Sequence, residues 1–436
     1  MRKVTLTLLL ILVHLQTVMS QTAMDIAKDM SPGWNLGNTL EACGCTWLNN
    51  KLDYEMGWQK TKTTQEVIDY VKSLGFKSVR IPCSWMEHMD ANYNIDPKWM
   101  DRVQEVVDYC INDSLYVLLN DHYDGGWIER SFENQTPASV NKNSLILKLM
   151  WQQIARKFIN YDHHLLFGGM NEPNACGDNS KDKKLDHETL VKYHQTFVNA
   201  VRQTGGKNIN RILVVQAPNT NIELAYEYNA LPNDATPNAL MLEVHFYSPY
   251  EFCMMEEDNE WMYRAFYWGK GNNLDGSNHN ATWGEESYIQ EQMRMMKNKY
   301  ASKGIPVIMG EFGGLWRTMP KGESQDKHDN SVYSWYRAVC RYGVHNGLIP
   351  FVWDTNSCSR PSGTIVDREN LQVFNQFALD GIMDGCASVK YPYVNSIDEV
   401  ETEIKTTSNI YNLMGIRLSK EPEKGIYIKD GKKYQK

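Results

Sequence analysis

Short apolar runs alternate with longer amphipathic segments from about residue 33 to residue 379, and this alternation constrains the fold most strongly. Eight runs have the length of buried strands, at 33–37, 77–81, 115–120, 165–171, 211–216, 241–247, 306–311 and 348–353. Strands that are separated by helices pair in parallel through right-handed crossovers, and eight such units close into a barrel. We therefore predict an α/β fold, a (β/α)8 TIM barrel.

Predicted helices lie between these strands, for example at 64–74, 100–113, 144–159, 187–203, 287–303 and 331–345. An open, doubly wound sheet is the alternative arrangement of the same elements. Such sheets usually carry a glycine-rich phosphate loop after the first strand. The first strand here reads GWNLGN at 33–38 and contains no GxGxxG pattern, so the sequence favours the barrel.

Polar and aromatic residues occur at or just past the carboxyl ends of the predicted strands. They are Arg80, His122, Asn171, Glu172, His245, Tyr247, Glu311 and Trp353. In a barrel these strand ends form one face, and that face holds the active site in enzymes of this fold. Scattered surface charges would not follow strand ends in this way, so we expect these residues to form one site.

Two of these residues are glutamates in similar settings, Glu172 in GGMNEP and Glu311 in VIMGEFG. For either one alone, a salt-bridged structural glutamate is the alternative, because a buried unpaired carboxylate is costly. Two carboxyl groups that face one substrate can hydrolyse a glycosidic bond when one is protonated and the other ionised. A metal-dependent hydrolase would need more ligands than His122, His245 and Asp124, so we predict no metal and no cofactor.

These motifs resemble glycoside hydrolase family 5. NEP at 171–173 matches the acid/base motif of the family, and GEFG at 310–313 matches its nucleophile motif. Further matches are the arginine strand VRIP at 79–82, HFY at 245–247, the tryptophan of FVWD at 351–354, and GWNLGNT at 33–39, which resembles the first strand of the family's cellulases. One position departs from the pattern: Tyr123 follows His122 where many family cellulases carry a second histidine.

The resemblance implies a retaining endo-β-1,4-glucanase that acts on cellulose-like β-glucans by double displacement. It implies Glu311 as the nucleophile and Glu172 as the acid/base, with carboxyl groups roughly 5–5.5 Å apart. The implied substrate-site residues are Arg80 beside Glu311, Asn171 at the sugar 2-hydroxyl, His122, His245 and Tyr247 near the glutamates, and Trp353 stacked on the sugar.

The same mechanism on xyloglucan, mixed-linkage glucan or mannan is an open alternative, because cleft loops set specificity. A non-catalytic carbohydrate-binding protein on the same scaffold is an alternative of another class, although such a protein need not keep both glutamates. The chain has 13 Trp and 24 Tyr, and flat aromatic faces suit pyranose rings. Further cleft candidates are therefore Trp34, Trp85, Trp127, Trp268 and Trp316.

The ends of the chain differ from the barrel region. Residues 1–20 have a basic start, an apolar run and small residues, as in a secretory signal, so we expect a secreted protein. Residues 21–380 form the predicted barrel domain, with a long insertion at 249–286 that either walls the cleft or elaborates the surface. Residues 381–436 form a C-terminal extension whose strand-like pattern resembles type IX secretion sorting modules or adds a strand to the barrel.

Charge and cysteine content exclude several partners. The net charge is −8, from 45 basic and 53 acidic residues, so nucleic acid and anionic lipid have no basic surface to bind. No apolar stretch of the mature chain is long enough to span a membrane. Nine cysteines are an odd number, and Cys43-Gly44-Cys45 lacks zinc-ligand spacing. We expect a monomer whose partner is a polysaccharide.

Overall fold

The computed structural model describes residues 21–392 and, beyond them, four short strands at Ile410–Asn412, Arg417–Leu418, Ile426–Lys429 and Lys432–Gln435. The expected secretory signal at 1–20 lies outside the described residues. In the part of the chain that is described, no helix combines the length and apolar composition needed to cross a membrane.

Eight parallel strands close into a barrel in chain order, which confirms the predicted (β/α)8 fold. They are β1 Gly33–Asn35, β2 Ser78–Ile81, β3 Tyr116–Asn120, β4 Leu165–Gly168, β5 Leu213–Gln216, β6 Leu240–Phe246, β7 Val307–Phe312 and β8 Leu348–Val352. Strand β8 closes the sheet on β1, with Gly33 opposite Phe351. Strand β4 ends at Gly168, before its predicted end, so Asn171 and Glu172 lie on the loop that follows it.

Residues 21–392 contain ten α-helices, most of which pack around the outside of the barrel. They are α1 Ala23–Ala27, α2 Gln65–Ser73, α3 Pro97–Asn112, α4 Pro137–Lys157, α5 Lys183–Arg202, α6 Ile222–Glu227, α7 Tyr250–Cys253, α8 Glu286–Lys299, α9 Gln325–His345 and α10 Gln376–Ala387. Local sequence sets their starts. Asp96 caps α3 by accepting from the backbone N–H of Lys98, and Pro97 begins the helix. Ser324 caps α9 in the same way through the N–H of Lys327.

The core has two layers. The larger layer lies between the sheet and the outer helices and contains apolar side chains such as Val79, Val103 and Trp151. The smaller layer fills the barrel interior with side chains such as Leu118 and Ile308, and α1 packs against it. A barrel filled in this way is a solid scaffold, so the polar strand ends are held by rigid elements.

The segment at 249–286 is the predicted long insertion after β6. It begins with α7 and continues as irregular but hydrogen-bonded backbone. Trp268 is fully buried there, and its indole donates to the carbonyl oxygen of Gly284 at 2.8 Å. The guanidinium of Arg317, which follows β7, donates to three backbone carbonyl groups of the insertion at 2.9, 2.8 and 3.4 Å. The insertion is therefore an anchored part of the fold.

Helix α10 crosses residue 380, where we expected the barrel domain to end. It packs closely on α9 because two glycines face that helix. A Cβ atom at Gly381 would lie 2.5 Å from the carbonyl oxygen of Tyr333, and one at Gly385 would lie 2.6 Å from that of Arg337. The helical layer of the barrel therefore continues past the expected boundary.

The chain divides into two compact units between residues 393 and 394. In the second unit the four described strands, β11 to β14 in the order given above, form an antiparallel sheet in the order β12-β11-β13-β14. A two-stranded hairpin, β9 Val366–Asp367 and β10 Gln372–Val373, precedes them in the first unit.

None of the nine cysteines, which all lie within residues 21–392, takes part in a disulfide bond. Cys45, Cys83, Cys110, Cys176, Cys253 and Cys340 are buried. Burial raises the pKa of the Cys110 thiol, as expected for a sulfur atom that packs as a small apolar group.

Candidate active site

The structure brings all eight candidate residues to the carboxyl-terminal face of the barrel, where each contacts another member of the set. The Arg80 side chain comes from β2 and that of His122 from the end of β3. Asn171 and Glu172 follow β4, and His245 and Tyr247 lie at the end of β6. Glu311 belongs to β7, and Trp353 follows β8.

Glu311 is buried and held by donors on both carboxylate oxygens. The Arg80 guanidinium lies 3.1 Å from Oε1, and the Tyr247 hydroxyl donates to Oε2 at 3.0 Å. His122 Nε2 lies 3.9 Å from Oε1. One carboxylate orientation is therefore fixed by a cation and a hydroxyl.

Glu172 has a different environment. Its side chain is 44% exposed, and Oε1 lies 2.6 Å from His245 Nδ1. Its backbone N–H donates to the carboxylate of Glu129 at 2.8 Å. The carboxyl group of Glu172 can therefore contact a ligand that enters from solvent. Its backbone is held in place by Glu129, in the segment that follows β3.

The two glutamates lie close together. One carboxylate oxygen of Glu172, one of Glu311 and a ring nitrogen of His245 all lie within 4.8 Å of one another. This separation fits the short carboxyl spacing of retaining glycosidases and leaves less room for the water of an inverting enzyme.

The same three residues have the donor types of a metal site, but their contacts do not suit one. Both ring nitrogens of His245 are engaged, Nδ1 with Glu172 and Nε2 with Glu243 at 3.3 Å. The Arg80 cation already neutralises Glu311. A second group, Asp162, His163 and His164, lies just before β4 and therefore at the opposite end of the barrel.

Arg80 is fully buried and links four residues of the site. Its Nε lies 2.9 Å from Glu243 Oε1, and its Nη1 also donates to Asn35 at 3.0 Å. Its Nη2 donates to the side-chain oxygen of Asn171 at 2.8 Å. The contact with Arg80 orients the Asn171 amide. The expected hydrogen bond from this amide to a sugar 2-hydroxyl stays a prediction.

Sequence reasoning missed several members of this network: Asn35, Gln216 and Glu243. Gln216 donates to Glu243 Oε2 at 2.7 Å. The signal was present, because Glu243, His245 and Tyr247 alternate along β6 and therefore point to the same side of the strand. A charged residue in an apolar run, two positions before a site histidine, indicates an inward-facing partner.

Glu129 was also missed. It lies in the long segment between β3 and α4 and is buried beside the backbone of Glu172. Burial raises its pKa to about 7, although hydrogen bonds from the Glu172 N–H and the Asn171 side chain oppose this shift. Nothing in its local sequence distinguishes it from a surface glutamate.

His245 and the two glutamates titrate as one coupled group. Burial lowers the pKa of His245, but the charges of Glu311 and Glu172 and the hydrogen bonds with Glu172 and Glu243 raise it to about 10. Burial raises the pKa of Glu172, but the hydrogen bond and charge of His245 bring it below its usual value. Burial raises the pKa of Glu311 despite His245 and Arg80. In the free protein the shared proton therefore resides on His245.

The tryptophans divide into exposed and buried sets. Trp353 is partly exposed and stacks on His122, with ring centroids 5.6 Å apart and an interplanar angle of 7°. Trp127 is partly exposed and donates to Asp121 at 3.2 Å. The remaining cleft candidates, Trp34, Trp85, Trp268 and Trp316, are buried and their indole N–H groups bind protein acceptors, so these assignments were wrong.

A cavity of about 220 Å³ opens beside Glu172 on the side of β5 and β6. Its lining residues include His245, Tyr247, Asn219, Glu223 and Tyr288. Trp353 follows β8 and approaches the glutamates from another side. The glutamate pair therefore lies between an aromatic face and a polar cavity.

Removing the Arg80 side chain is expected to destabilise the fold. In Arg80→Ala the buried carboxylates of Glu243 and Glu311 lose their cation, which should lower the free energy of unfolding by about 3–5 kcal/mol. Urea denaturation followed by fluorescence measures this value. Arg156→Ala, at an exposed position in the last turn of α4, is the control and should change it by less than about 0.5 kcal/mol. Equal losses in both variants would contradict the role of the network.

Comparison with known proteins places the site in a family context. The family model for Cellulase (glycosyl hydrolase family 5) matches residues 41–359. Endoglucanase A of Paenibacillus barcinonensis is 32% identical over 386 residues, covering 84% of this chain and 90% of that protein. A xyloglucan-specific endo-β-1,4-glucanase of Bacteroides ovatus is 32% identical over 369 residues, covering 84% of this chain and 70% of that protein.

A solved structure shows higher sequence identity. It is a xyloglucan-specific β-1,4-glucanase from a ruminal metagenomic library, in complex with XXLG. It is 45% identical to this chain, with a TM-score of 0.79, and the match covers 87% of this chain and 99% of that one.

Proposed function

Because the chain belongs to the cellulase family, glycosyl hydrolase family 5, and is a glycoside hydrolase, we propose that it cleaves internal bonds of β-1,4-glucans with Glu172 and Glu311. The observation that carries this proposal is the pair of close carboxyl groups, one buried against Arg80 and the other open to a cavity. A non-catalytic binding protein would have no need of this pair.

In the proposed reaction Glu311 attacks the anomeric carbon while Glu172 gives a proton to the leaving glycosidic oxygen. The carbon–oxygen bond to the leaving chain breaks as the bond to Glu311 forms, which gives a glycosyl-enzyme. Glu172 then removes a proton from water, which attacks the same carbon and releases Glu311. The anomeric configuration is retained because it is inverted twice.

We propose that His245 supplies the proton for Glu172. Substrate that covers the exposed side of Glu172 removes it from water, and burial favours a neutral pair over an ion pair. The proton then passes along the 2.6 Å hydrogen bond from His245 Nδ1 to Glu172. This transfer neutralises the positive charge of His245 and the negative charge of Glu172 at the same time. Arg80 and Tyr247 still stabilise the charge of Glu311.

The His245→Asn variant tests this proton route. In the wild type, kcat/KM should fall at high pH when the proton shared by His245 and Glu172 is lost. The pKa of His245 is about 10. Without the imidazole the proton resides on Glu172 alone, and a carboxyl group releases it at lower pH. The basic limb should therefore move to lower pH, and the maximum of kcat/KM should fall roughly tenfold to a hundredfold.

A positioning role alone gives the opposite sign. If His245 acted only as a cation, its removal would raise the pKa of Glu172 and move the basic limb to higher pH. That result, or an unchanged profile, would contradict the proton route. His187→Asn, in the first turns of α5, is the matched control and should keep the wild-type profile.

For the substrate, we propose xyloglucan first and unbranched β-1,4-glucan second. Two relatives are described as xyloglucan-specific, and one of them is 45% identical to this chain. Relative kcat/KM on xyloglucan, carboxymethylcellulose, lichenan and mannan tests this order. Highest activity on xyloglucan is expected, whereas activity confined to mannan, or none on any β-glucan, would overturn the proposal.

The proposal also includes secretion and a monomeric mature protein. The basic and apolar pattern at 1–20 supports secretion. The mass of the protein recovered from the medium should correspond to loss of about the first 20 residues. Light scattering should give a single-chain mass, and an uncleaved or dimeric product would contradict this part.

A further inference from the structure

Exposed aromatic side chains cluster on the insertion at 249–286. Trp261 is 90% exposed, Tyr263 is 56% exposed and Trp283 is 41% exposed. We call these three residues the aromatic platform. They line a concavity of about 270 Å³ whose polar members are Asn278, Asn280, Thr282 and Glu251. Exposed apolar patches with polar rims mark binding surfaces.

The platform rests on braced backbone. Asn259 Oδ1 accepts from the N–H of Trp261 at 2.9 Å, and the guanidinium of Arg264 lies 2.9 Å from Asp258. The Trp283 indole donates to the carboxylate of Glu251 at 2.9 Å. These polar contacts fix the segment, and packing of the aromatic faces is not needed to hold it. The fold therefore gives no reason for an exposed tryptophan at Trp261.

The platform continues the cavity beside Glu172. Tyr288 lines that cavity, and its ring meets Trp283 edge-on, with centroids 5.5 Å apart and an angle of 82°. Ser248 belongs to the cavity, and the next residue, Pro249, belongs to the platform concavity. A linear ligand that leaves the glutamates over Tyr288 therefore meets Trp283 next.

The route from the glutamates over Tyr288 to Trp283 runs in the direction expected for the leaving part of a cleaved chain. In the proposed mechanism the sugar that bonds to Glu311 stacks on Trp353, after β8. The leaving part then points away from Trp353, toward the loops after β5 and β6, which carry the cavity and the insertion. The platform lies farther along this side.

We propose that the aromatic platform binds the leaving-group end of a long, neutral β-1,4-glucan chain, beyond the sugars next to the cleaved bond. The inference rests on the proposed endoglucanase function. Pyranose rings pack on aromatic faces, and the exposed Asn278 amide and Thr282 hydroxyl can bind sugar hydroxyl groups. The charged side chain that lines the concavity is Glu251, so an anionic polymer would be repelled.

The test measures polymer binding without cleavage. Glu311→Gln and the double variant Glu311→Gln/Trp261→Ala are run on native gels that contain xyloglucan. Loss of Trp261 is expected to raise the dissociation constant roughly tenfold, as for removal of a tryptophan anchor. Equal retardation of the two proteins, or none of either, would overturn the proposal. Tyr263→Ala in the same background should weaken retardation in the same direction.

Tyr226→Ala is the matched control. Tyr226 is 50% exposed in α6, and its carbonyl oxygen accepts from the side chain of Lys299, the last residue of α8. Lys299 ends α8, whereas Tyr288, which meets Trp283, lies near its start, so Tyr226 lies at the end of α8 that is farther from the platform. The control should keep the parent's retardation, and an equal loss in it would overturn the proposal.

Kinetics separate this inference from the proposed function. In the otherwise wild-type enzyme, Trp261→Ala should lower kcat/KM on xyloglucan roughly tenfold. It should leave kcat/KM on a short aryl cello-oligosaccharide unchanged, because a small aryl group does not reach the platform. Equal losses on both substrates would reject the platform. A wild-type enzyme that cleaves neither substrate would instead reject the proposed function, and the gels would still report on the platform.

Discussion

Glu311→Gln is expected to lower kcat/KM on β-1,4-glucan by at least about 10³-fold, with little change in the fold. The amide has the shape of the carboxylate but cannot form the glycosyl-enzyme. Arg80 keeps its ion pair with Glu243 at 2.9 Å, so the buried cation is still neutralised. The loss should appear in kcat more than in KM, because Glu311 acts on the reacting carbon.

Initial rates on xyloglucan and thermal unfolding of the purified variant measure the two parts of this prediction. Glu188→Gln is the control, since its side chain is exposed on α5 and the chemical change is identical. It should keep wild-type rates. Glu311→Gln activity within tenfold of the wild type would remove Glu311 from the mechanism.

Glu172→Gln is expected to show a loss that depends on the leaving group. A sugar is a poor leaving group unless Glu172 protonates its oxygen, so kcat/KM on polymer should fall roughly 10²–10⁴-fold. A dinitrophenolate leaves without protonation, so kcat/KM on a dinitrophenyl cello-oligosaccharide should fall far less. The second step still needs a base, so the glycosyl-enzyme should accumulate. A burst of released dinitrophenolate should report this accumulation.

Steady-state and rapid-quench measurements on both substrates test this pattern. Equal losses on polymer and on the activated substrate, without a burst, would mean that Glu172 is not the acid/base. Comparison with Glu311→Gln strengthens the test, because loss of the nucleophile should impair both substrates alike and give no burst.

The barrel and the two glutamates could be predicted because both depend on local patterns. Buried parallel strands are continuous apolar runs, and a barrel gathers their carboxyl ends on one face. Glu172 and Glu311 each follow such a run. The carboxyl end of β4 could not be predicted, because the run at 165–171 does not show where pairing with β5 stops.

The alternation along β6 indicates that Glu243 faces the site, but the contacts of the supporting network could not be predicted because they depend on barrel closure. Asn35 in β1 donates to the carbonyl oxygen of Gly310 in β7 at 2.8 Å, across 275 residues of chain. Trp34 packs in the layer between the sheet and the outer helices, and its indole donates to Asp354 at 3.1 Å, across 320 residues, which is why it does not line the cleft. Local sequence marks such residues as polar or aromatic but does not show what they face.

Identifying the residue that bonds to the sugar directly tests the role of Glu311 as the nucleophile. A 2-deoxy-2-fluoro cello-oligosaccharide with a dinitrophenyl leaving group should trap the glycosyl-enzyme, because fluorine slows the second step more than the activated first step. Peptide mapping by mass spectrometry then locates the label. We expect one label, on Glu311. A label on Glu172 or another residue, or an unlabelled enzyme that releases inverted product, would contradict it.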